Sequence, residues 1–366
     1  MTVGIVGGGQ LARMMALAGY PLGLQFLSLD RDARTPAAQV APALAGEFTD
    51  PALLDELARR SEVVTFDWEN VPLAALDRIA DQVRIAPPRA ALATAQDRLN
   101  EKTLFDTLRI PTNRYVPVET QAELDAAVAK LGLPGVLKTR RLGYDGKGQA
   151  VLRKAADVAR AWRDLGGVPL LYEEFVPFDY EVSIIGVRGA KGEIRTWPLN
   201  RNLHQDGVLR LTRAPWRAPA IEAAAVRHVR RVLAHFDYVG VLTIEFFVRR
   251  GRLVANEIAP RVHNSGHWTI EGAMTSQFEN HVRAILGLPL GDTSARGHSA
   301  MVNLLGHLPA RAALLKEKSL FLHDYGKEPR PGRKLGHCTL VAQTAAERDR
   351  RAASLLRRLD SRKIIG

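Results

Sequence analysis

The most constraining part of this sequence is a pair of apolar segments on either side of the short run R-R-G-R at positions 249–252. The segments favour two strands, and each carries one carboxylate, Glu245 in the first and Glu257 in the second. Successive side chains of a strand point to opposite faces, and 245 and 257 are both odd numbers. The two carboxylates therefore share a face only if the turn holds an odd number of residues or one strand contains a bulge. Gly251 supplies the positive φ that such a turn needs.

If the two carboxylates lie side by side, Asn256 lies next to them. Carboxylate and amide oxygens suit Mg²⁺, which is usually held by one or two carboxylates together with substrate phosphates. A dense polar run follows, from Arg261 through His263 and Asn264 to His267, with neither alternating charge nor a helical period. A solvated hairpin with a polar loop is the alternative interpretation. The apolar flanks and the polar run together favour a binding site.

The N-terminal part predicts an alternating α/β arrangement. Residues 2–6 and 24–29 predict strands, and the glycine turn at 7–9 leads into a helix over 11–18. The pattern G-x-G-x-x-A, with Asp30 about 20 residues on, is close to a dinucleotide-binding fingerprint, so an NAD-dependent oxidoreductase is one interpretation. The same turn also serves any phosphate, or a tight strand-to-helix connection.

The loop after the predicted strand at 63–66 carries Glu69. Open α/β sheets bind ligands at the carboxyl ends of their strands, so Glu69 is a candidate for ligand binding. A helix-capping role is the alternative.

A second glycine-rich run, K-T-R-R-L-G-Y-D-G-K-G-Q, spans residues 138–149. It lacks the G-x-x-x-x-G-K-[ST] pattern of a Walker loop, and strand signals lie on both sides of it. The run therefore predicts a flap between two strands, whose backbone N–H groups can lie over phosphates. A plain flexible hairpin is the alternative. Further along, the segment 170–176 predicts an apolar strand that stops in the carboxylate pair Glu173 and Glu174, with the apolar pair Phe175 and Val176 after it.

Length and composition restrict the class of protein. A chain of 366 residues is long enough for two or three domains, and no apolar run reaches the ~20 residues of a membrane span. The chain enters a predicted strand at once, which leaves no room for a signal peptide, so we expect a cytoplasmic protein. A single cysteine, Cys338, excludes an internal disulfide and a cysteine-based zinc site. The net charge of +12 favours an enzyme of anionic small molecules over a nucleic-acid-binding protein, because no nucleic-acid-binding motif appears.

In chain order the motifs are G-G-G-Q-L, K-x-x-x-x-G-Y-D-G-K-G-Q, N-L-H-Q-D-G, N-E-I-A-P-R-V-H-N-S-G-H-W and R-P-G-R-K-L-G-H. Together they resemble the ATP-grasp superfamily, and within it the 5-(carboxyamino)imidazole ribonucleotide synthetase family of purine biosynthesis, from about residue 3 to about residue 341. The resemblance implies an ATP-grasp fold with a Rossmann-like N-terminal domain at 1–95, an ATP-grasp domain at 96–290 with a joint near 172–178, and a small β-rich C-terminal domain at 291–366.

The resemblance also implies a reaction. ATP phosphorylates bicarbonate to carboxyphosphate, and the amine of 5-aminoimidazole ribonucleotide captures the carboxyl group, giving the carboxylated amine, ADP and phosphate. ATP and Mg²⁺ are the implied cofactors, and a homodimer without nucleic-acid or membrane partners is implied. Carboxyphosphate decomposes in water, so a flap that closes over it serves the reaction. Another ATP-grasp ligase with a different acceptor is the nearest alternative.

The family motifs imply three sets of site residues. The nucleotide set is Arg98, Lys138, Gly143, Tyr144, Asp145, Gly146, Lys147, Gly148, Gln149, Glu173, Glu174, Phe175, Val176, Glu181, His204, Asn256 and Glu257. The metal set is Glu245 and Glu257. The substrate set, to which the strand-end argument adds Glu69, is Gly8, Gln10, Leu11, Tyr144, Asp145, Arg261, His263, Asn264, Arg330, Arg333 and Lys334.

Three of these residues are expected to take part in catalysis, Asp145, Arg261 and His263. Arg261 and His263 are implied at the bicarbonate position, and either Asp145 or His263 is a candidate base for the amine proton. The sequence leaves open whether Arg140 or Arg141 contacts a phosphate.

Overall fold

The computed structural model describes residues 1–143 and 146–360. Its first layer is a five-stranded parallel sheet of order β3-β2-β1-β4-β5, as the alternating sequence pattern predicts. The strands are apolar because helices cover the sheet. The elements are β1 (Thr2–Val6), α1 (Gln10–Gly19), β2 (Gln25–Asp30), β3 (Ala43–Ala45), α2 (Pro51–Arg59), β4 (Val63–Phe66), α3 (Leu73–Ile79) and β5 (Arg84–Ile85), with 3₁₀ turns at Tyr20–Leu22 and Ala37–Gln39.

The polar helix that the sequence suggests over residues 91–108 is two helices, α4 (Arg89–Ala95) and α5 (Arg98–Thr107). The break falls at Asp97, whose carboxylate accepts the Leu99 N–H at 3.0 Å and so caps the second helix. The same carboxylate also pairs with Arg140 at 2.8 Å. The prediction of one continuous helix was wrong, because the contact with Arg140 holds Asp97 at the position where the first helix ends and the second begins.

The next layer is a four-stranded antiparallel sheet of order β6-β9-β7-β8. The predicted flap connects the antiparallel pair β7 and β8, so its position between two strands is confirmed. The elements are β6 (Tyr115–Val118), α6 (Gln121–Leu131), β7 (Gly135–Thr139), β8 (Gln149–Leu152), α7 (Ala155–Leu165) and β9 (Leu170–Glu174).

The largest layer is an antiparallel sheet of order β15-β14-β10-β12-β13-β16-β18-β17, with β11 on the side of β10. The strands are β10 (Tyr180–Arg188), β11 (Ile194–Thr196), β12 (Asn200–Gln205), β13 (Val208–Ala214), β14 (Gly240–Arg249), β15 (Arg252–Ala259), β16 (His298–Leu305), β17 (Leu320–Asp324) and β18 (Lys334–Ala342). The helices are α8 (Pro219–His235), α9 (Thr269–Gly272), α10 (Gln277–Ile285), α11 (Arg311–Leu315) and α12 (Ala345–Asp360), with a 3₁₀ turn at Asn264–Gly266.

This large sheet is continuous from the predicted central domain into the predicted C-terminal domain. The link is the pairing of β13 with β16, which runs from Leu211 opposite Val302 to Ala214 opposite Ser299. The division of the chain into three domains stays a prediction. No helix within the described residues is both long enough and apolar enough to cross a membrane.

The hairpin of β14 and β15 shows how the two carboxylates come to share a face. Arg249 pairs with Arg252 around a two-residue turn, in which Arg250 and Gly251 have φ of +49° and +70°. Positive φ at both positions is the pattern of a type I′ turn. The register then shifts by one residue, so that Glu245 pairs with Glu257. Of the two alternatives left open by the sequence, the bulge is therefore the one that occurs.

Candidate active site

One cavity of about 760 Å³ opens between the three sheets. It collects most of the residues that the sequence assigns to nucleotide, metal or substrate. Those in its wall are Gln10, Leu11, Glu69, Arg98, Lys138, Gly143, Gly146, Lys147, Gln149, Glu173, Glu174, Phe175, Val176, Glu181, His204, Glu245, Asn256, Glu257, Arg261, His263, Asn264 and Lys334.

Six assigned residues do not belong to this wall as described. Tyr144 and Asp145 lie outside the described residues. Gly8 lies beneath the surface, where its N–H donates to Asp30 Oδ2 at 2.7 Å. Gly148, Arg330 and Arg333 are absent from the wall, although Lys334, next in sequence to Arg333, is part of it.

The paired carboxylates occupy very different surroundings. Glu245 is 8% exposed, and its Oε1 has no hydrogen-bond partner in the described structure. Burial, together with the charge of Glu257, raises the pKa of Glu245 to about 7 although the charge of His204 opposes the shift. Glu257 is more open and lies 3.7 Å from Arg98 Nη1. The site therefore holds one buried carboxylate oxygen, Glu245 Oε1, that has no hydrogen-bond partner among the described residues.

His204 lies beside these carboxylates on β12. Its Nδ1 is 2.8 Å from Glu181 Oε2, and its Nε2 is 4.0 Å from Glu245 Oε2. Burial works to lower the pKa of His204, but the bond to Glu181 and the charge of Glu245 outweigh it and raise the pKa to about 9. The imidazole is therefore a cation at neutral pH.

A second cluster surrounds Glu173 at the end of β9. Lys138 Nζ lies 3.0 Å from Glu173 Oε2, Lys102 Nζ lies 3.6 Å from the same oxygen, and Asn113 Nδ2 donates to it at 2.9 Å. Burial works to raise the pKa of Glu173, but the two ammonium groups outweigh it and hold the pKa well below its usual range. Glu173 is thus an ionised group that fixes the position of Lys138.

Next to this cluster the cavity has an apolar slot. Phe175 and Val176 form part of it, as the sequence predicts. Phe178 and Phe247 add a stacked pair with ring centroids 4.6 Å apart. Apolar and aromatic side chains of this kind suit a planar base.

Arg261, also in the cavity wall, forms an ion pair with Glu69, which joins the polar run to the loop after β4 of the first sheet. His263 lies 3.8 Å from Glu245 Oε1, and its Nδ1 accepts the Ser265 backbone N–H at 3.3 Å. Burial lowers the pKa of His263 well below its usual value, so the ring is neutral. With Nδ1 accepting, the ring proton belongs on Nε2, which faces the cavity side of Glu245.

The N-terminal glycine turn does not offer an open anion site. The buried Asp67 carboxylate accepts the backbone N–H groups of Gly9 and Ala12 at the start of α1. A Cβ at Gly7 or Gly9 would overlap that carboxylate. The glycines therefore make room for Asp67, and this turn does not support the NAD interpretation.

Sequence reasoning missed several functional candidates. Glu101 lines the cavity at 3% exposure, and burial raises its pKa to about 8, with Glu257 adding to the shift. Lys102 and Asp67 are buried as well. The sequence signal for all three was weak, because charged residues on a polar helix or after a strand usually lie in solvent.

The structure also bears on the two arginines before the flap. Arg140 forms two bonds with Asp97, at 2.9 and 2.8 Å, whereas Arg141 lies 3.5 Å from the same carboxylate with 57% of its side chain exposed. Arg140 is one of the residues that line the cavity, and Asp97 fixes its position there. Arg141 is not among the described residues of the cavity wall, so Arg140 is the better-placed candidate for a phosphate contact.

Comparison with known protein families matches three consecutive segments of the chain. Residues 1–96 match the ribonucleotide synthetase preATP-grasp domain, residues 103–278 the ATP-grasp domain, and residues 299–351 the phosphoribosylaminoimidazole carboxylase C-terminal domain.

Whole-chain relatives agree with this order. The N5-carboxyaminoimidazole ribonucleotide synthase of Pseudomonas aeruginosa is 49% identical over 97% of this chain and 98% of its own length. That of Brucella melitensis is 44% identical over 93% and 96%.

Solved structures show the same similarity. The N5-carboxyaminoimidazole ribonucleotide synthetase of Thermus thermophilus is 49% identical and superimposes with a TM-score of 0.93 over 97% of this chain and 98% of that one. The enzyme of Aspergillus clavatus, solved with ADP and 5-aminoimidazole ribonucleotide, is 32% identical with a TM-score of 0.92 over 98% of both chains.

Proposed function

Because the chain belongs to the N5-carboxyaminoimidazole ribonucleotide synthase family of ATP-grasp ligases, we propose that it carboxylates the amine of 5-aminoimidazole ribonucleotide. ATP phosphorylates bicarbonate, and ADP leaves. The amine nitrogen then bonds to the carboxyl carbon of carboxyphosphate. The bond from that carbon to the phosphate oxygen breaks, phosphate leaves with the electron pair, and the amine proton is released. The product is the N5-carboxylated ribonucleotide of purine biosynthesis. The observation that carries the proposal is the opposed pair Glu245 and Glu257 in a cavity shared with Lys138 and Arg261.

ATP fits the end of the cavity that holds the apolar slot. Phe175, Val176 and the stacked pair Phe178 and Phe247 would enclose the adenine, and Glu181 would accept the ribose hydroxyls. Lys138 and Arg98 would contact the phosphates, since both cations line the cavity, Lys138 beside Glu173 and Arg98 beside Glu257. The flap, including Tyr144 and Asp145, would close over the nucleotide.

The carboxylate pair fits Mg²⁺. Glu245 Oε1 is a buried acceptor without a partner in the described structure. Burial and the charge of Glu257 raise the pKa of this carboxyl, and a bound cation would favour its ionised form. No cluster of three or more histidine, cysteine or acidic side chains suited to a metal occurs in the part of the chain that the structure describes. The two carboxylates would therefore share the ion with phosphate oxygens, where it would neutralise charge on the transferred group.

The ribonucleotide and bicarbonate fit the opposite end. Arg261 and His263 would hold the carboxyl group beside Glu245, with His263 donating from Nε2. Lys334 would contact the ribonucleotide phosphate, together with Arg330 and Arg333 of the adjoining loop. Asp145 remains the candidate base, because Nδ1 of His263 is occupied by the Ser265 N–H.

The test is phosphate release from ATP and Mg²⁺ in bicarbonate buffer, with and without 5-aminoimidazole ribonucleotide. Release is expected to depend on the ribonucleotide and to fall by about 10²- to 10³-fold in Glu257→Gln, which removes a carboxylate ligand of the Mg²⁺ that would neutralise the transferred group. Glu193→Gln is the matched control, because Glu193 is an exposed carboxylate in the turn between β10 and β11, where it pairs with Arg195.

Phosphate release at the same rate with and without the ribonucleotide would refute the ribonucleotide as the carboxyl acceptor, although it would still show that the protein hydrolyses ATP. A homodimer, which the family resemblance implies, is a separate part of the proposal. Sedimentation at micromolar concentration tests it, and a monomeric mass would contradict it.

A further inference from the structure

His267 is a buried residue in the wall of the cavity, and the proposed reaction assigns no role to it. Its side chain is 1% exposed and lines the cavity. The ring lies between Phe278 and His337, with centroids at 5.5 and 4.9 Å. The charges of Lys334 and Arg261 act on it, which places it at the end of the cavity proposed for the ribonucleotide and bicarbonate.

The neighbouring Gln277 determines which ring nitrogen of His267 carries the proton. The amide of Gln277 is fully buried and held in one orientation by the peptide groups of His263. The His263 N–H donates to Gln277 Oε1 at 2.9 Å, and Gln277 Nε2 donates to the His263 carbonyl at 2.6 Å. Exchanging the amide oxygen and nitrogen would set donor against donor and acceptor against acceptor.

A glycine in the polar run makes this arrangement possible. A Cβ at Gly266 would lie 2.5 Å from Gln277 Oε1. The N-S-G-H turn therefore leaves the space through which the amide reaches the backbone of His263.

The second hydrogen of the Gln277 amide nitrogen points to His267. Gln277 Nε2 is 3.3 Å from His267 Nδ1, and an amide nitrogen only donates. Nδ1 is therefore the acceptor, and the ring proton belongs on Nε2. Burial, with the nearby charges of His323, Lys334 and Arg261, lowers the pKa of His267 well below its usual value, so the ring stays neutral.

A layer of side chains behind His267 fixes its ring. His337 packs against it and has its Nδ1 2.7 Å from the Tyr325 hydroxyl. His323 stacks on His337 with ring centroids 4.4 Å apart and is paired with Glu271 at 2.6 Å. The orientation of the imidazole is therefore set before a ligand arrives.

We propose that His267 is a neutral hydrogen-bond donor, whose Nε2–H binds an anionic oxygen of the substrates at the end of the cavity formed by Arg261, His263 and Lys334. The assignment rests on the proposed function. The oxygen belongs either to the bicarbonate-derived carboxyl group or to the ribonucleotide phosphate. His267 does not act as a base, because Nδ1 is occupied and Nε2 already carries its proton.

The test compares His267→Phe, which keeps a ring of similar size, with His267→Gln, which restores an amide N–H near the position of Nε2. His228→Phe is the matched control, because His228 is another buried imidazole that packs on Phe246 outside the cavity wall. In His267→Phe, kcat/KM for bicarbonate or for the ribonucleotide is expected to fall about 10- to 100-fold, as for loss of a hydrogen bond to a charged group. ADP affinity is expected to stay unchanged, and His267→Gln is expected to recover part of the loss.

Two further arms decide the ligand and the tautomer. If the loss persists with the nucleoside that lacks the 5′-phosphate, the target is the carboxyl group, and if it disappears, the target is the phosphate. Nitrogen-15 NMR of labelled histidine, assigned by the signals missing in His267→Phe, is expected to show a neutral ring protonated at Nε2. A pH–rate profile of unchanged shape is expected in the variants.

An Nδ1–H or charged ring would overturn the inference. So would unchanged kinetics in His267→Phe, or a parallel loss of ADP affinity and stability without recovery in His267→Gln. Wild-type protein without ribonucleotide-dependent phosphate release would refute the proposed function instead, and the NMR result is independent of that outcome.

Discussion

Lys102 provides the sharpest test of how the charges in this cavity are balanced. Its ammonium group is 1% exposed and donates to Thr112 Oγ1 and Asn113 Oδ1, both at 2.8 Å. It also lies 3.6 Å from Glu173, which the sequence alone would not have paired with it. Lys102→Met keeps most of the aliphatic stem but removes the charge and its donors.

Removing one partner of a buried ion pair costs about 3–5 kcal/mol, because the other charge remains buried. Lys138 stays 3.0 Å from Glu173 after the change, so we expect the lower end, about 3 kcal/mol in the free energy of unfolding. Glu173 should then titrate closer to its usual range. In the wild type, the low folded-state pKa of Glu173 stabilises the protein at pH values above the unfolded-state pKa of about 4.3, and this stabilisation is lost as pH falls below that value. The difference in unfolding free energy between Lys102→Met and the wild type should therefore shrink in acid.

The assay is urea unfolding followed by circular dichroism, at pH 7 and at about pH 3, which lies below the unfolded-state pKa of Glu173. Lys130→Met is the control, since Lys130 is exposed on α6, and its change should stay within about 0.5 kcal/mol. Lys102→Met combined with Glu173→Gln should be less destabilised than the sum of the single changes by about 1 kcal/mol or more. A loss below about 1 kcal/mol for Lys102→Met, or additive behaviour in the double variant, would refute the charge balance described above.

Three further predictions concern neighbouring groups. His204→Gln should be less stable than the wild type, most of all at pH 6.5 and below, because the raised pKa of His204 reflects stabilisation of the protonated ring in the folded protein. The difference in unfolding free energy should disappear as pH rises through about 9. Unfolding at a series of pH values checks this, and a difference that does not change with pH would contradict it. Glu101→Gln should gain stability relative to wild type as pH rises from about 4.3 to about 8, because only the wild type must ionise a buried carboxyl, and an unchanging difference would count against that burial effect. Asp97→Asn keeps the helix cap but releases Arg140, so KM for ATP should rise about tenfold with at most about 1 kcal/mol lost in unfolding, and an unchanged KM would separate Arg140 from nucleotide binding.

The motifs of the sequence predicted most of the elements, and many of the candidate site residues that they indicate line one cavity. The parallel α/β opening, the flap between two strands and the carboxylate hairpin are all present, because each depends on local periodicity and turn chemistry. The helix at residues 91–108 was the clear error. Its break depends on Arg140, which reaches Asp97 from the end of β7 and is remote from it in sequence.

The sequence by itself determined which residue types occur together, and therefore the fold, the family and the carboxylate pair that faces the cavity. Only the tertiary structure decided which turn arrangement aligns Glu245 with Glu257, and that Asp67 fills the glycine turn. It also decided that Gln277 sets the proton of His267. These outcomes depend on distances and burial between residues far apart in the chain, which periodicity and spacing do not encode.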